Sequence, residues 1–301
     1  MAGVWVAKVY LAEKAYARAY YSENLEEAEL KLTEALNQRA DVDVYYVGLA
    51  EVYLSRAIQL SNQEGADMRS VSLLVAEAVN QAKKATELSP NSVSLWENLA
   101  SMYENAAMII PDARIWAIKA WEKAMELEPT NPVLYVRLAN NYFSQEEGAE
   151  KAVENYEKAI KYKNNYAAAY LGLSKVYEAQ GNFNKAVENY EKAIGTGTDN
   201  ADLLFNYGRL LYNRNEDDDR EKSKKLWLII IENQPNHSNS LYSLGLYYEG
   251  TGNLNEALKY YYKVRDLNED NEQVKEKIDS LVRSQATMEE IEEAEAEVAQ
   301  D

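Results

Sequence analysis

The chain has 301 residues, of which 47% are hydrophobic and 27% are charged, a composition that supports a packed core. Its formal net charge of −18 opposes binding to nucleic acid or to anionic lipid, because both depend on Lys and Arg meeting phosphate. The absence of cysteine excludes disulfides, zinc thiolate sites and cysteine nucleophiles, and it does not select a compartment.

The first elements along the chain are predicted to be helices. Residues 9–42 have small and apolar side chains at helical spacing, although the first helix of this segment is atypical. Residues 43–92 contain a long insertion, SRAIQLSNQEGADMRSVSLLV, with helical apolar spacing on both sides of Gly65. We therefore expect two lengthened helices here. The chain has no run of about 18 apolar residues, so no membrane-spanning segment is predicted.

The ten residues KAVENYEKAI occur twice, at Lys151–Ile160 and again 34 residues later at Lys185–Ile194. Frames beginning at Ala167 and Ser238 share large, small and aromatic residues at eight offsets. In the first frame these are Tyr170, Leu173, Ser174, Tyr177, Gly181, Ala186, Tyr190 and Ala193. Small residues let helix backbones approach closely, and tyrosine rings fill the remaining space. Gly181 and Asn182 provide the turn between the two helices of the frame.

This pattern resembles the tetratricopeptide repeat, in which each 34-residue unit is a pair of antiparallel helices. The resemblance implies an all-α solenoid superhelix of about seven helix pairs, because one pair cannot bury its faces alone. The predicted units are near 9–42, 43–92, 93–131, 132–166, 167–200, 201–237 and 238–271. Residues 272–285 would form a capping helix with Val274, Ile278, Leu281 and Val282 on its covered face, before an acidic tail at 286–301.

No constellation of residues indicates catalysis, and we expect neither enzyme activity, nor a metal, nor a cofactor. His237 is the single histidine, so it cannot build a metal site or a nucleophile–histidine pair. The run NEDDD at 215–219 lacks the glycine and the closing glutamate of a calcium loop, which favours a solvated insertion. The segment GTGTDN at 195–200 is predicted to be a helix junction.

In tetratricopeptide arrays the first helix of each unit lines the concave groove, and its second, sixth and ninth residues usually face a ligand. The resemblance therefore implies ligand-binding residues at Asn98, Arg137, Asn140, Lys175, Asn206 and Arg209, with Asn213 one turn further on. An ordinary solvated face is the alternative, because polar residues occur there in any case. The carboxylate clamp of chaperone-binding members requires five residues, of which only Asn98 and Arg137 match, so chaperone-tail binding is not expected.

These features predict a non-enzymatic scaffold that binds a peptide or protein partner of unknown identity in its groove. Stretches such as NSVSLWENLASMYEN also resemble the soluble tails of bacterial membrane proteins of the O-antigen ligase or polymerase type. That resemblance implies a different function, as the accessory domain of a glycan-transferring enzyme whose catalytic region lies outside this chain. The chain would then lie on the extracytoplasmic face of a membrane rather than in the cytoplasm. Self-association through the groove or the open end is a third hypothesis.

Overall fold

The computed structural model describes residues 2–197 and 200–298, and in this part of the chain every regular element is an α-helix. The chain divides into two compact units, Met1–Asn164 and Asn165–Asp301. The helices of the first unit pack as consecutive antiparallel pairs. These are α1 (Ala2–Tyr20) with α2 (Leu25–Gln38), α3 (Asp43–Ser61) with α4 (Met68–Leu88), α5 (Val93–Ala106) with α6 (Ala113–Leu127), and α7 (Pro132–Phe143) with α8 (Ala149–Tyr162).

The second unit has the same construction. Its pairs are α9 (Ala167–Ala179) with α10 (Phe183–Gly195), α11 (Ala201–Arg214) with α12 (Asp219–Asn233), and α13 (Ser238–Gly250) with α14 (Leu254–Leu267). The last helix, α15 (Glu272–Val298), packs on α14. The expected all-α solenoid of helix pairs is confirmed.

Short turns join the two helices of a pair, and their residues explain where each helix stops and starts. Gly181 and Gly252 have φ angles of +72° and +78°, a left-handed conformation that ends α9 and α13. The next residues, Asn182 and Asn253, cap α10 and α14 by accepting a backbone N–H with their side-chain oxygen. The turn predicted at Gly181 and Asn182 is therefore confirmed.

Small residues at the eighth position of each first helix set the distance between the two helices of a pair. From α3 to α13 this position is fully or nearly fully buried, as Ala50, Ala100, Ala139, Ser174, Gly208 and Gly245. A Cβ atom on Gly245 would lie 2.5 Å from a ring carbon of Tyr261, closer than atoms can approach. The second helix therefore presses its aromatic ring against the backbone of the first, as close packing requires.

The lengthened second pair is confirmed, because α3 has 19 residues and α4 has 21. The first helix begins at Ala2, before the first predicted repeat unit near 9–42. Val274, Ile278 and Leu281 of α15 are buried as expected, whereas Val282 is 45% exposed and does not belong to the covered face. The helix continues to Val298, and the side chains of the predicted acidic tail lie outside the described residues.

Candidate ligand-binding surface on the first helices

Three predicted ligand-binding residues lie on first helices of the first unit. Asn98 lies on α5, and Arg137 and Asn140 lie one turn apart on α7. Arg137 is exposed, and within the described residues its guanidinium forms no ion pair. The Oδ1 atom of Asn98 is buried and has no hydrogen-bond partner in this part of the chain. Arg137 is therefore open to a ligand. Asn98 Oδ1 lacks a partner among the described residues but does not reach the surface, and Asn140 Oδ1 already accepts the hydroxyl of Tyr156 at 2.5 Å.

The charge of Arg137 also acts on the neighbouring first helix. Burial raises the pKa of Glu97 on α5, and the nearby charge of Glu128 raises it further. Arg137 opposes both effects, so its positive charge reaches Glu97 although the two side chains form no ion pair. Asn98 follows Glu97 directly in α5. It is the sixth residue of its helix, just as Arg137 is the sixth residue of α7.

The other four predicted residues lie in the second unit. Asn206, Arg209 and Asn213 occur at intervals of three and four residues on α11, so they share one helix face. Asn206 donates its amide to the backbone of its own helix, and Arg209 donates to Glu178 of α9 at 2.7 Å. Lys175 on α9 and Asn213 are both exposed and have no hydrogen bond or ion pair among the described residues. They remain available to a ligand.

The two copies of KAVENYEKAI lie in α8 and α10. They have the same local structure, but their tyrosine hydroxyls differ in hydrogen bonding. In both copies the two alanines, the asparagine and the tyrosine are buried, and the asparagine donates to a backbone oxygen four residues earlier at 2.8 Å. The hydroxyl of Tyr156 donates to Asn140, but the hydroxyl of Tyr190 has no partner in the described residues. In frame, Lys175 occupies the ninth position that Asn140 occupies one repeat earlier. The ammonium group of Lys175 cannot accept a hydrogen bond, so the hydroxyl of Tyr190 lacks the acceptor that Asn140 gives to Tyr156.

Glutamates at the twelfth position of a first helix connect neighbouring repeats, a feature that the sequence analysis missed. In the second unit, Glu249 accepts the hydroxyl of Tyr261 at 2.7 Å and pairs with Lys277 of α15 at 2.8 Å. Glu178 pairs with Arg209 of the next first helix. Arg209 thus contributes to the packing between α9 and α11 as well as to the exposed face.

The same position in the first unit is Glu104. Its Oε1 accepts the indole N–H of Trp121 at 2.8 Å and also accepts the side-chain amide of Asn141 on α7. The three glutamates share one offset from the start of their helices, so the repeat frame contained the signal. Their donors differ in type and lie in the following helices, which is why periodicity alone did not reveal them.

The run NEDDD is not simply the solvated insertion that we expected. Asp219 is 1% exposed and receives two hydrogen bonds from Arg214, both at 2.8 Å, and a third from the backbone N–H of Glu216. Arg214 holds the pKa of Asp219 below its usual value, because the guanidinium stabilises the ionised carboxylate. Asn215 and Asp217, with φ angles of 53° and 43°, make the tight turn that brings these groups together.

The remaining polar candidates have structural roles. The Nδ1 atom of His237 accepts the backbone N–H of Ser240 and so caps α13. In the described part of the chain no three His, Cys, Asp or Glu side chains are grouped to hold a metal ion. Among the same residues, none of the helices has the length and apolar character that crossing a bilayer requires. Of GTGTDN, Thr198 and Asp199 lie outside the described residues.

Comparison with known proteins agrees with this geometry. A model described as TPR repeat matches residues 149–181, and a model described as tetratricopeptide repeat matches residues 167–196 and 238–271. No curated protein matches the chain.

Several solved structures share the fold at low sequence identity. A tetratricopeptide repeat protein from Parabacteroides merdae is 14% identical, with a TM-score of 0.58, over 91% of this chain and 98% of that one. The C-terminal part of a repeat protein from Cytophaga hutchinsonii is 13% identical, with a TM-score of 0.60, over 90% and 98%. Yeast Tom70 is 17% identical, with a TM-score of 0.57, over 91% of this chain and 65% of its own length.

The family models cover the frames in which small eighth-position residues and aromatic rings pack two helices together, and the similar structures show the same fold. The chain therefore contains tetratricopeptide repeats, at residues 149–196 and 238–271.

Proposed function

We propose that this protein is a non-enzymatic scaffold that binds a peptide or a protein segment along its first helices. The ligand-binding residues are Asn98, Arg137 and Asn140 in the first unit, and Lys175, Asn206, Arg209 and Asn213 in the second. The division into seven helix pairs with the boundaries given above is part of the same proposal. The resemblance to O-antigen ligase tails stays a prediction from the sequence.

The observation that best supports this function is the occurrence of an unpaired cation and an unsatisfied acceptor at the same position of two neighbouring first helices. Arg137 is an exposed cation with no ion pair among the described residues of a chain whose net charge is −18. Asn98 Oδ1 is a buried acceptor without a donor in that part of the chain. A buried acceptor without a partner costs free energy, and rotation of the half-buried Asn98 side chain towards the surface would let the backbone N–H of an extended peptide satisfy it. A carboxylate of the same peptide would bind Arg137.

The second unit supports the same type of recognition. One N–H of Arg209 donates to Glu178, and the guanidinium has further donors for a ligand. The ion pair also restricts the arginine side chain, which lowers the entropy that binding would cost. Lys175 and Asn213 add an exposed ammonium and an exposed amide. Affinity would come from several modest polar contacts on a preformed helix surface.

The test is selection from a random dodecapeptide phage library against the intact protein, followed by titration calorimetry with the enriched peptides. We expect enriched peptides to contain a carboxylate and to bind Arg137→Glu at least tenfold more weakly. Lys161→Glu is the matched control, because Lys161 is an exposed cation on the second helix α8 and the substitution changes the net charge equally. Circular dichroism verifies the fold of both variants. No enrichment, or equal loss of binding in both variants, would overturn the proposal.

A further inference from the structure

The N-terminal part of the first unit contains a cavity that the predicted ligand-binding residues do not use. It has a volume of about 470 Å³ and lies between α1 and α3, above α2. Its floor consists of apolar atoms, including those of Leu25, Ala28 and Leu32. Tyr16 and Tyr20 of α1 form one wall, and Val44 and Val47 of α3 form the other.

A glycine is among the residues that line this cavity. Gly48 is the sixth residue of α3, the position that holds Asn98 in α5 and Arg137 in α7. A Cβ atom at this position would lie 3.0 Å from Cδ2 of Leu32. Glycine inside a helix costs about 1 kcal/mol relative to alanine, so its presence here requires a reason. The close approach of Leu32 provides one, because the leucine would have to shift by a few tenths of an ångström to admit a Cβ atom.

A single carboxylate lies in this apolar surface. Glu51, one turn after Gly48, is the charged residue among the side chains that line the cavity, and no Lys, Arg or His lines it. Its carboxylate has no hydrogen bond or ion pair with the described residues. Although Glu51 is exposed, neighbouring atoms partly desolvate its carboxylate and raise its pKa. Burial raises the pKa of Tyr16, and the negative charge of Glu51 raises it further. An unpaired, partly desolvated anion favours a cation.

The tyrosine rings determine which cation fits. Tyr16 and Tyr20 have ring centroids 6.5 Å apart, and Tyr20 is 73% exposed. A guanidinium can stack on an aromatic face while donating two hydrogen bonds to one carboxylate, whereas an ammonium cannot form this bidentate pair. The methylene groups of an arginine side chain would cover the apolar walls.

We propose that this cavity binds an arginine side chain of a partner protein segment, with the guanidinium on Glu51 and apolar neighbours of the arginine against Val44 and Val47. The proposal rests on the scaffold function and adds a specific determinant to it. A ligand with an arginine at one end and a carboxylate at the other would use this cavity together with Arg137.

The test uses ¹⁵N-labelled full-length protein titrated with the peptide acetyl-Ser-Leu-Arg-Leu-Ser-amide and followed by NMR. We expect saturable shifts of α1 and α3 amides, and binding at least tenfold weaker when lysine or the neutral isostere citrulline replaces arginine. Glu51→Gln should weaken arginine binding at least tenfold. Val44→Lys should abolish binding by placing a competing cation in the cavity. Glu87→Gln, an exposed glutamate on α4, is the control and should have no effect.

Other results of this titration would contradict separate parts of the proposal. Equal binding of the arginine and citrulline peptides would overturn the role of charge, and equal binding of the lysine peptide would overturn the choice of arginine. Binding that is unchanged in both Glu51→Gln and Val44→Lys would place the site elsewhere. If library peptides still bind in an Arg137-dependent way while the arginine peptide does not bind, only the cavity is refuted. If neither binds, the scaffold function itself fails.

Discussion

The two identical decapeptides provide a matched test of what one hydroxyl group contributes to stability. Tyr156→Phe removes a 2.5 Å hydrogen bond to Asn140, whose exposed side chain can turn to water, so we expect a loss of about 1 kcal/mol. Tyr190→Phe removes a hydroxyl that is fully buried and has no partner in the described residues. Removing an unsatisfied polar group should stabilise the fold by about 1–2 kcal/mol. The two free energies should therefore have opposite signs.

Amide hydrogen exchange, together with urea denaturation, measures this difference. Repeat arrays can unfold in parts, so protection within α8 and α10 must be read separately from the global transition. A double-mutant cycle of Tyr156→Phe with Asn140→Ala should recover a coupling energy near that of the hydrogen bond. If Tyr190→Phe destabilised its helix as much as Tyr156→Phe does, the Tyr190 hydroxyl would have a partner. The inference from the equivalent positions of Lys175 and Asn140 would then be wrong.

The other predictions concern packing and one ion pair. Ala186→Leu should overpack the contact between α9 and α10 and cost about 1–3 kcal/mol, seen as a lower melting temperature. Gly208→Ala should cost a similar amount, because its Cβ would lie 2.7 Å from Nε1 of Trp227, and the tryptophan fluorescence should change. Arg214→Met should cost about 3 kcal/mol by leaving Asp219 buried and unpaired. Because folding lowers the pKa of Asp219, its ion pair stabilises the native protein above the unfolded pKa of about 3.9, and this contribution is lost as pH falls further. The free energy of unfolding of Arg214→Met should therefore fall less steeply than that of the parent as the pH is lowered.

The fold could be predicted from the sequence because its determinants are local and repeated. Two adjacent residues, Gly181 and Asn182, form the turn. The four-residue spacing of Ala186 and Tyr190 indicates the buried face of α10. Even the lengthened second pair followed from apolar residues on both sides of Gly65. Each of these signals lies within one helix or one turn, where periodicity reports burial directly.

The site could be predicted less completely because its partners lie in other helices. Arg209 and Asn140 were predicted to face a ligand, and each already has a partner inside the fold. Asp219 was predicted to be solvated, although a tight turn buries it against Arg214. Nothing in the spacing of Glu51 indicated a cavity, since the residues that line it come from α1, α2 and α3.

The eighth and ninth positions of the first helices are subject to different constraints. From α3 to α13 the eighth position is small, because the second helix packs against it, whereas the ninth holds Glu51, Asn140, Lys175 and Arg209 in different repeats. At Asn140 the ninth residue satisfies a buried tyrosine, and at Lys175 it leaves the equivalent hydroxyl unpaired. Asparagine at position 175 would offer the Tyr190 hydroxyl the acceptor that Asn140 offers Tyr156. Selection for stability alone therefore does not explain the lysine. Residues that lower stability at an exposed position are typical of binding sites, and Lys175 therefore supports the ligand-binding role of this position.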